Sequence, residues 1–285
     1  MTLYKKIMFD ENRYGNFINE CADRICKDSH IKLVLVAGPS CSGKTTTTHK
    51  LSDALYKRGK QAYTISIDDF YLNPKDMPIK EDGKPDFEAI ESFDIQDLHN
   101  CLHKLSCGES ADIPHFDFAL EKRTGTRCTI RLDNKSIAII EGLHALNPVI
   151  YKNFVSEDKI FKIFLDCHTD NPSTMRYSRL MRRLVRDYHY RNSDAQKTFM
   201  LWENVLSGEK KYIYPFENLA DVKINTRFDY ESGVFRDSVI NILKELPENS
   251  IYREFAKVMI DYLTGIESIS QKAVPQDSLL YEFIG

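Results

Sequence analysis

The chain has 285 residues, 42% of them hydrophobic, enough to bury a full core as one large domain or one domain with a lid. A net charge of −3 excludes a global attraction to nucleic acid or to an anionic membrane surface. Seven cysteines, an odd number with no CxxC pair, argue against a disulfide framework or a zinc site; a reduced, cytoplasmic chain is expected. The first fifteen residues hold no apolar signal core, and no apolar run approaches a membrane span.

Residues 1–30 are polar, with a helix predicted from about Asn12 to Lys27, where Phe17, Ile18, Cys21 and Ile25 recur at helical spacing. "IKLVLVA" is a continuous, Val-rich run and predicts a buried strand. A helix follows from Lys44 to about Lys57, ended by Gly59, and "QAYTISI" reads as a second strand. Residues 72–91 form a long polar loop rich in Pro and Gly, a type that is usually functional or disordered. A helix is predicted from Asp94 to Cys107. "ADIPHFDF" and "RCTIRL" then pair as a ribbon around a turn at "EKRTGT". "KSIAIIEG" and "KIFKIFLDC" are further buried strands. "NPSTMRYSRLMRRLVRDYHY" is a helix with proline near its start, and "SDAQKTFMLWENVLSGEKK" another, with Ser193 as its cap. "ADVKINT" is the last strand, and helices cover much of 229–264. Strands alternating with helices predict an α/β fold, a parallel sheet flanked by helices, with ligands at the carboxyl ends of its strands.

Gly38 to Thr45, "GPSCSGKT", fits G-x-x-x-x-G-K-[ST] without a mismatch, with a strand before it and a helix after it. The glycines let backbone N–H groups turn inward around phosphate oxygens; Lys44 supplies a point charge for the β and γ phosphates, and the Thr45 hydroxyl can ligate Mg²⁺. The nucleotide-contacting set is therefore Gly38, Pro39, Ser40, Cys41, Ser42, Gly43, Lys44, Thr45 and Thr46. Motors, switches and kinases all use such a loop, so it does not name the reaction.

Asp68 and Asp69 close the second strand and Glu141 closes "SIAIIEG", at the same sheet edge as the loop. Carboxylates there hold Mg²⁺ or take a proton from an attacking hydroxyl. Asp68 is assigned the base role, with a share in metal binding, and Glu141 the metal role; strand alternation points Asp69 elsewhere. A GTPase should show D-x-x-G and N-K-x-D elements, and Asn134-Lys135-Ser136-Ile137 lacks the aspartate. A motor ATPase usually ends its second acidic strand in Asp-Glu, where this chain has Glu-Gly. A small-molecule kinase needs only a base, a metal site and an acceptor pocket.

Six arginines fall in sixteen residues: Arg176, Arg179, Arg182, Arg183, Arg186 and Arg191. Exposed arginine stripes are usually solvated surface, and a nucleic-acid face is the competing reading, although stacking aromatics between them are sparse. Arginine matches phosphate oxygens bidentately and neutralises charge that develops in transfer, so the helix suits a lid closing over ATP.

The ordered motifs "GPSCSGKTT", "ISIDDFY", "GKPDFEAIESFD", "IPHFDFALEKR", "AIIEGLHALNP", "FKIFLDC", "RRLVRDYHYR", "GEKKYIYPFENLADVKIN" and "VPQDSLLYEFIG" resemble the uridine kinase and phosphoribulokinase superfamily, nearest to bacterial uridine-kinase-like nucleoside kinases. They cover essentially 31–285. Many relatives carry a larger N-terminal module similar to part of threonyl-tRNA synthetase; with about thirty residues before the first strand, that module is expected to be absent. The resemblance implies an N-terminal helical segment over 1–30, a P-loop kinase domain over 31–228, with an acceptor region at 72–132 and an arginine-rich lid at 172–210, and C-terminal helices and tail over 229–285 on the same domain.

Residue by residue, it implies that Lys44 and Thr45 serve phosphate and Mg²⁺, Asp68 activates a sugar 5′-hydroxyl and Glu141 sits at the Mg²⁺. Glu88 stands where an aspartate binds the ribose hydroxyls, Arg183 is on the substrate side, and Arg186 and Arg191 are lid arginines near the phosphates. Three positions depart from the pattern: Phe116 replaces a tyrosine, Glu121 a base-contacting histidine and Ser193 a further lid arginine. Phe116 keeps a ring to stack on a base but lacks the hydroxyl, and Glu121 favours a donor on the acceptor's edge. The expected activity is ATP- and Mg²⁺-dependent phosphorylation of a ribonucleoside, uridine first. A kinase for another sugar-containing metabolite and a catalytically silent nucleotide-binding regulator are the alternatives. No nucleic-acid or membrane partner is expected, and a homo-oligomer is left open.

Overall fold

The computed structural model describes residues 2–80, 83–168 and 177–285. Five parallel strands make the central sheet: β1 (Leu33–Ala37), β2 (Gln61–Ser66), β5 (Ser136–Glu141), β6 (Ile160–Asp166) and β7 (Val222–Asn225), in the order β2-β5-β1-β6-β7. The continuous apolar runs explain the centre of the sheet, because every residue of β1 is buried. Successive side chains pack on opposite faces. Val34, Val36, Ile163 and Leu165 enter one core, while Leu33, Leu35, Ile140 and Phe164 enter the other. Parallel pairing brings the strand ends to one edge: Val36 and Ser66 both lie opposite Glu141, and Asp166 lies opposite Asn225.

Helix α1 (Leu3–Lys27) and α2 (Lys44–Tyr56) cover the first face, joined by the Tyr14–Thr47 hydroxyl contact at 2.7 Å. Helix α1 starts about nine residues before its predicted start. Only Ile7 and Asp10 of its first two turns are buried, so those turns carry almost no apolar signal. Helix α3 (Ile95–Ser106) packs on the second face beside the ribbon of β3 (Ser110–Asp117) and β4 (Lys122–Arg131). The predicted turn at "EKRTGT" is displaced: β4 already begins at Lys122, and the reversal runs through 118–121, where Glu121 takes a left-handed φ of 47°. The short helix α4 (Pro148–Tyr151) follows β5.

Helix α5 (Ser178–Tyr190) carries the arginines, and α6 (Ala195–Tyr212) follows it. The proline-bearing start predicted for α5, and Arg176 with it, lie outside the described residues. Asp194, not Ser193, caps α6, its carboxylate accepting the Lys197 N–H at 2.8 Å. Helices α7 (Glu231–Lys244), α8 (Arg253–Thr264) and the one-turn α9 (Tyr281–Ile284) contribute to the first core. Among the described residues no helix is long and apolar enough to cross a membrane, and all seven cysteines are free.

Candidate active site

Between β1 and α2 the chain makes the turn the motif requires. Gly43 has φ 83° and precedes α2 without a side-chain cap, so the first N–H groups of the helix are left for other partners. A Cβ on Gly38 would lie 2.4 Å from the Leu165 carbonyl oxygen, and one on Gly43 would lie 2.4 Å from Leu279 Cδ1; both positions need glycine. The Lys44 ammonium folds back along the loop, donating to the Gly38 and Pro39 carbonyls at 2.9 and 3.2 Å. Thr45 is exposed. Ser42 is buried, and its hydroxyl has no hydrogen-bond partner among the described residues.

Asp68 and Asp69 leave β2 in a 3₁₀ turn, Ile67–Phe70, rather than on the strand itself. Their separation is therefore a property of the turn. Asp69, 4% exposed, is taken up by the ribbon: it pairs with Arg127 at 2.9 Å and His115 at 3.3 Å and accepts the Phe116 N–H at 3.4 Å. Among the described residues Asp68 has no such partners, and it lies within electrostatic reach of Glu141, Lys44, Asp69 and Glu88. Burial and the Glu141 carboxylate push its carboxyl up to about 7, with Lys44 pulling the other way. Asp68 and Glu141 thus repel one another at the sheet edge from which the phosphate loop leaves β1 to enter α2, whose second residue is the exposed Thr45. A hard cation held by one or two carboxylates and a phosphate oxygen would relieve that repulsion, so these three residues fit Mg²⁺. Among the described residues no cluster of three or more His, Cys, Asp or Glu side chains forms a complete cage of its own.

The arginines of α5 are not a solvated stripe. Arg182 is fully buried, paired with Glu231 at 2.5 Å, and donates to the Cys41 and Thr226 carbonyls at 3.1 and 2.7 Å. Arg179 forks onto the Glu209 carboxylate at 2.7 and 2.8 Å and also holds the Ser40 carbonyl. These two brace the phosphate loop from behind. Arg183 reaches the Ser40 hydroxyl at 3.2 Å. Arg183, Arg186 and Arg191 all pair with one buried carboxylate, Asp187, at 3.1, 2.7 and 3.7 Å. Three guanidiniums share one anion, and partial burial and the Arg186 charge hold Arg191 below its ordinary value. The cluster therefore favours a further anion beside the loop.

Of the expected acceptor residues, Glu88 lies within electrostatic reach of both Asp68 and Arg183, while Phe116 and Glu121 belong to the ribbon. Glu88 packs against Gly208, where a Cβ would stand 3.2 Å away, and burial pushes its carboxyl up against the pull of Arg183. The His144 ring donates from Nε2 to the Glu88 carbonyl at 3.1 Å, and burial brings His144 down to about 4, which keeps it neutral. Phe116 corrects the sequence reading. It is 2% exposed, packed against Tyr71 and Phe118 with ring centroids 5.5 and 5.1 Å apart, and has no free face for a base. The exposed ring of that cluster is Phe118, at 58%. Glu121 stands exposed at the ribbon's tip.

Sequence reasoning missed Asp187, Glu209 and Glu282. Glu209 is 1% exposed, accepts the Ser40 N–H at 2.8 Å and neutralises Arg179. The one legible hint was an acid facing an arginine-rich helix. Glu209→Gln is expected to cost roughly 1–3 kcal/mol of stability and to weaken nucleotide binding; thermal melting and nucleotide titration read the two effects. A cavity of about 1140 Å³, lined by Asp166, Trp202, Tyr214 and Phe255, meets this system through Arg179 and Glu209 and through Trp202, whose ring lies 5.4 and 5.8 Å from the Arg179 and Arg183 guanidiniums.

A five-stranded parallel sheet with a G-x-x-x-x-G-K-T loop leaving its central strand and acids at the neighbouring strand ends is the frame of a P-loop nucleotide-binding protein. The phosphoribulokinase / uridine kinase family matches residues 33–229. The chain belongs to that family and is a kinase, a phosphotransferase. It is 28% identical over 190 residues to the uridine kinase of Anoxybacillus flavithermus, spanning 66% of this chain and 83% of that one. With the uridine kinase of Deinococcus deserti it shares 27% over 190 residues, 66% and 84% of the two chains. A solved structure of a possible uridine kinase from Bacillus stearothermophilus aligns with a TM-score of 0.46 and 19% identity, over 72% of this chain and 98% of that one.

Proposed function

We propose that the chain transfers the γ-phosphoryl group of ATP to the 5′-hydroxyl of a ribonucleoside, with uridine the first candidate. The observation that carries this reading is Asp68: a carboxyl without a hydrogen-bonding side-chain partner among the described residues, poised near 7, within electrostatic reach of Lys44. In this reading the acceptor oxygen bonds to the γ phosphorus, its proton passes to Asp68, and the bond to the bridging oxygen breaks to release ADP. Lys44, Arg186 and Arg191 stabilise the charge spread over the phosphoryl oxygens, and Arg183 acts on the substrate side. Mg²⁺ would be held by Thr45, Asp68 and Glu141, and when bound it would neutralise the donor phosphates. Glu88 binds the sugar hydroxyls.

A second acceptor class, another sugar-containing metabolite, is favoured by the buried Phe116 ring and by Glu121 at the exposed tip, since both leave the base without its expected contacts. The complete set of Lys44, Asp68, Glu141 and Arg186 speaks against a silent regulator. ADP release against a panel of nucleosides, free sugars and sugar phosphates tests the reading. Turnover is expected with a ribonucleoside above all; turnover only with a sugar or sugar phosphate moves the acceptor class, and none above the water background supports the regulator.

A further inference from the structure

The segment 274–285 lies against the phosphate loop. Leu279 is fully buried against Gly43, and Phe283 is fully buried beneath the Arg182 guanidinium, 5.4 Å from ring centroid to charge. Ser278 meets the Tyr230 hydroxyl at 3.3 Å. Gly285 lies so close to the Tyr190 hydroxyl that a Cβ there would be 2.3 Å from it. The segment therefore runs from the loop to the end of α5, between the two parts that face a donor.

Within it, Glu282 makes a contact of a particular kind. One carboxylate oxygen accepts both the backbone N–H of Thr46, at 3.3 Å, and its hydroxyl, at 2.6 Å. Thr46 is in the first turn of α2, where the N–H groups have no intrahelical partner and favour an anion. Those are the donors that a P-loop offers to nucleotide phosphate. Arg182 and Arg186, which face the loop, also lie within electrostatic reach of Glu282.

We propose that Glu282 is an internal stand-in for a donor phosphate: its carboxylate holds the Thr46 donors and is exchanged for a phosphate oxygen when nucleotide binds. The inference rests on the assignment of the loop as the nucleotide site. Two anions cannot share one N–H and one O–H, so each nucleotide that enters displaces the carboxylate. Glu282 thereby lowers donor affinity, and donor binding loosens the packing of 279–285 on the loop. Loading of the donor site is then reported at the far end of the segment, beside Tyr190 and the arginine helix.

Equilibrium titration of ADP with Mg²⁺ into the unaltered chain and into Glu282→Gln tests this, with hydrogen–deuterium exchange of the unaltered chain with and without ADP as a measurement independent of the variant. Glutamine keeps an acceptor oxygen and removes the charge. The expected results are roughly 3- to 10-fold tighter binding by the variant and faster exchange over 279–285 when ADP is present. Equal or weaker binding by a folded Glu282→Gln, or greater protection of 279–285 with ADP, overturns the inference while leaving the nucleotide site intact. No ADP binding by either chain overturns the nucleotide assignment, and this inference with it.

Discussion

Asp68→Asn is expected to lower kcat by roughly 10²- to 10⁴-fold while ATP still binds. The amide keeps the shape of the carboxylate but cannot take the acceptor's proton. The same substitution should stabilise the fold. Asp68 is raised in the folded state, to about 7, by burial and Glu141. A raised carboxyl contributes its full stability only below its ordinary range and loses it as pH rises through the folded value, so at pH 8 the native carboxylate is a burden that the amide lacks. Allowing for its partial exposure, the variant should gain roughly 2 kcal/mol at pH 8, with the gain shrinking as pH falls from 7 towards 4. Melting curves at several pH values, beside nucleotide titration and turnover, read all three effects. Unchanged turnover would remove Asp68 from the chemistry.

Arg182→Met is expected to be the most damaging single change to stability. Arg182 and Glu231 are both fully buried, so removing the guanidinium leaves a carboxylate without its counter-charge inside the first core. The cost should be roughly 3–5 kcal/mol, a fall in Tm of about 10 °C. The double variant Arg182→Met/Glu231→Leu should recover much of this, because the uncompensated charge is gone. Nucleotide binding should remain impaired in both variants, since the Cys41 and Thr226 carbonyls lose their brace. A single variant that melts with the unaltered chain would show that the pair does not hold the loop in place.

The sheet was legible because its strands are continuous apolar runs, which mark burial on both faces, and the phosphate loop because its chemistry is local in sequence. The arginines were not. "RLMRRLVRD" shows charge, but the carboxylates that bury it arrive from Glu209, Glu231 and, within the helix, Asp187. A helical wheel therefore displays a stripe where the fold makes a brace and an anion-hungry cluster. Phe116 failed as a stacking residue for a related reason: strand position gives its face, and only the packing of Tyr71 and Phe118 from other segments shows that the face is covered. Glu282 lies 236 positions from Thr46, and no spacing rule connects them. Asp194 displaced Ser193 as the cap of α6 by one residue, which is the usual uncertainty of a helix end.

The central claim is that Asp68 is the base, and the dependence of kcat/KM on pH, measured with the best acceptor of the panel, tests it most directly. With that acceptor saturating and MgATP varied, so that kcat/KM reports the enzyme before nucleotide and metal bind, the profile should show an acid limb with its midpoint near 7, where burial and Glu141 set Asp68. The residual activity of Asp68→Asn should lack that limb. A profile flat from about pH 5.5 to 8.5, or the same limb retained in Asp68→Asn, would contradict the account.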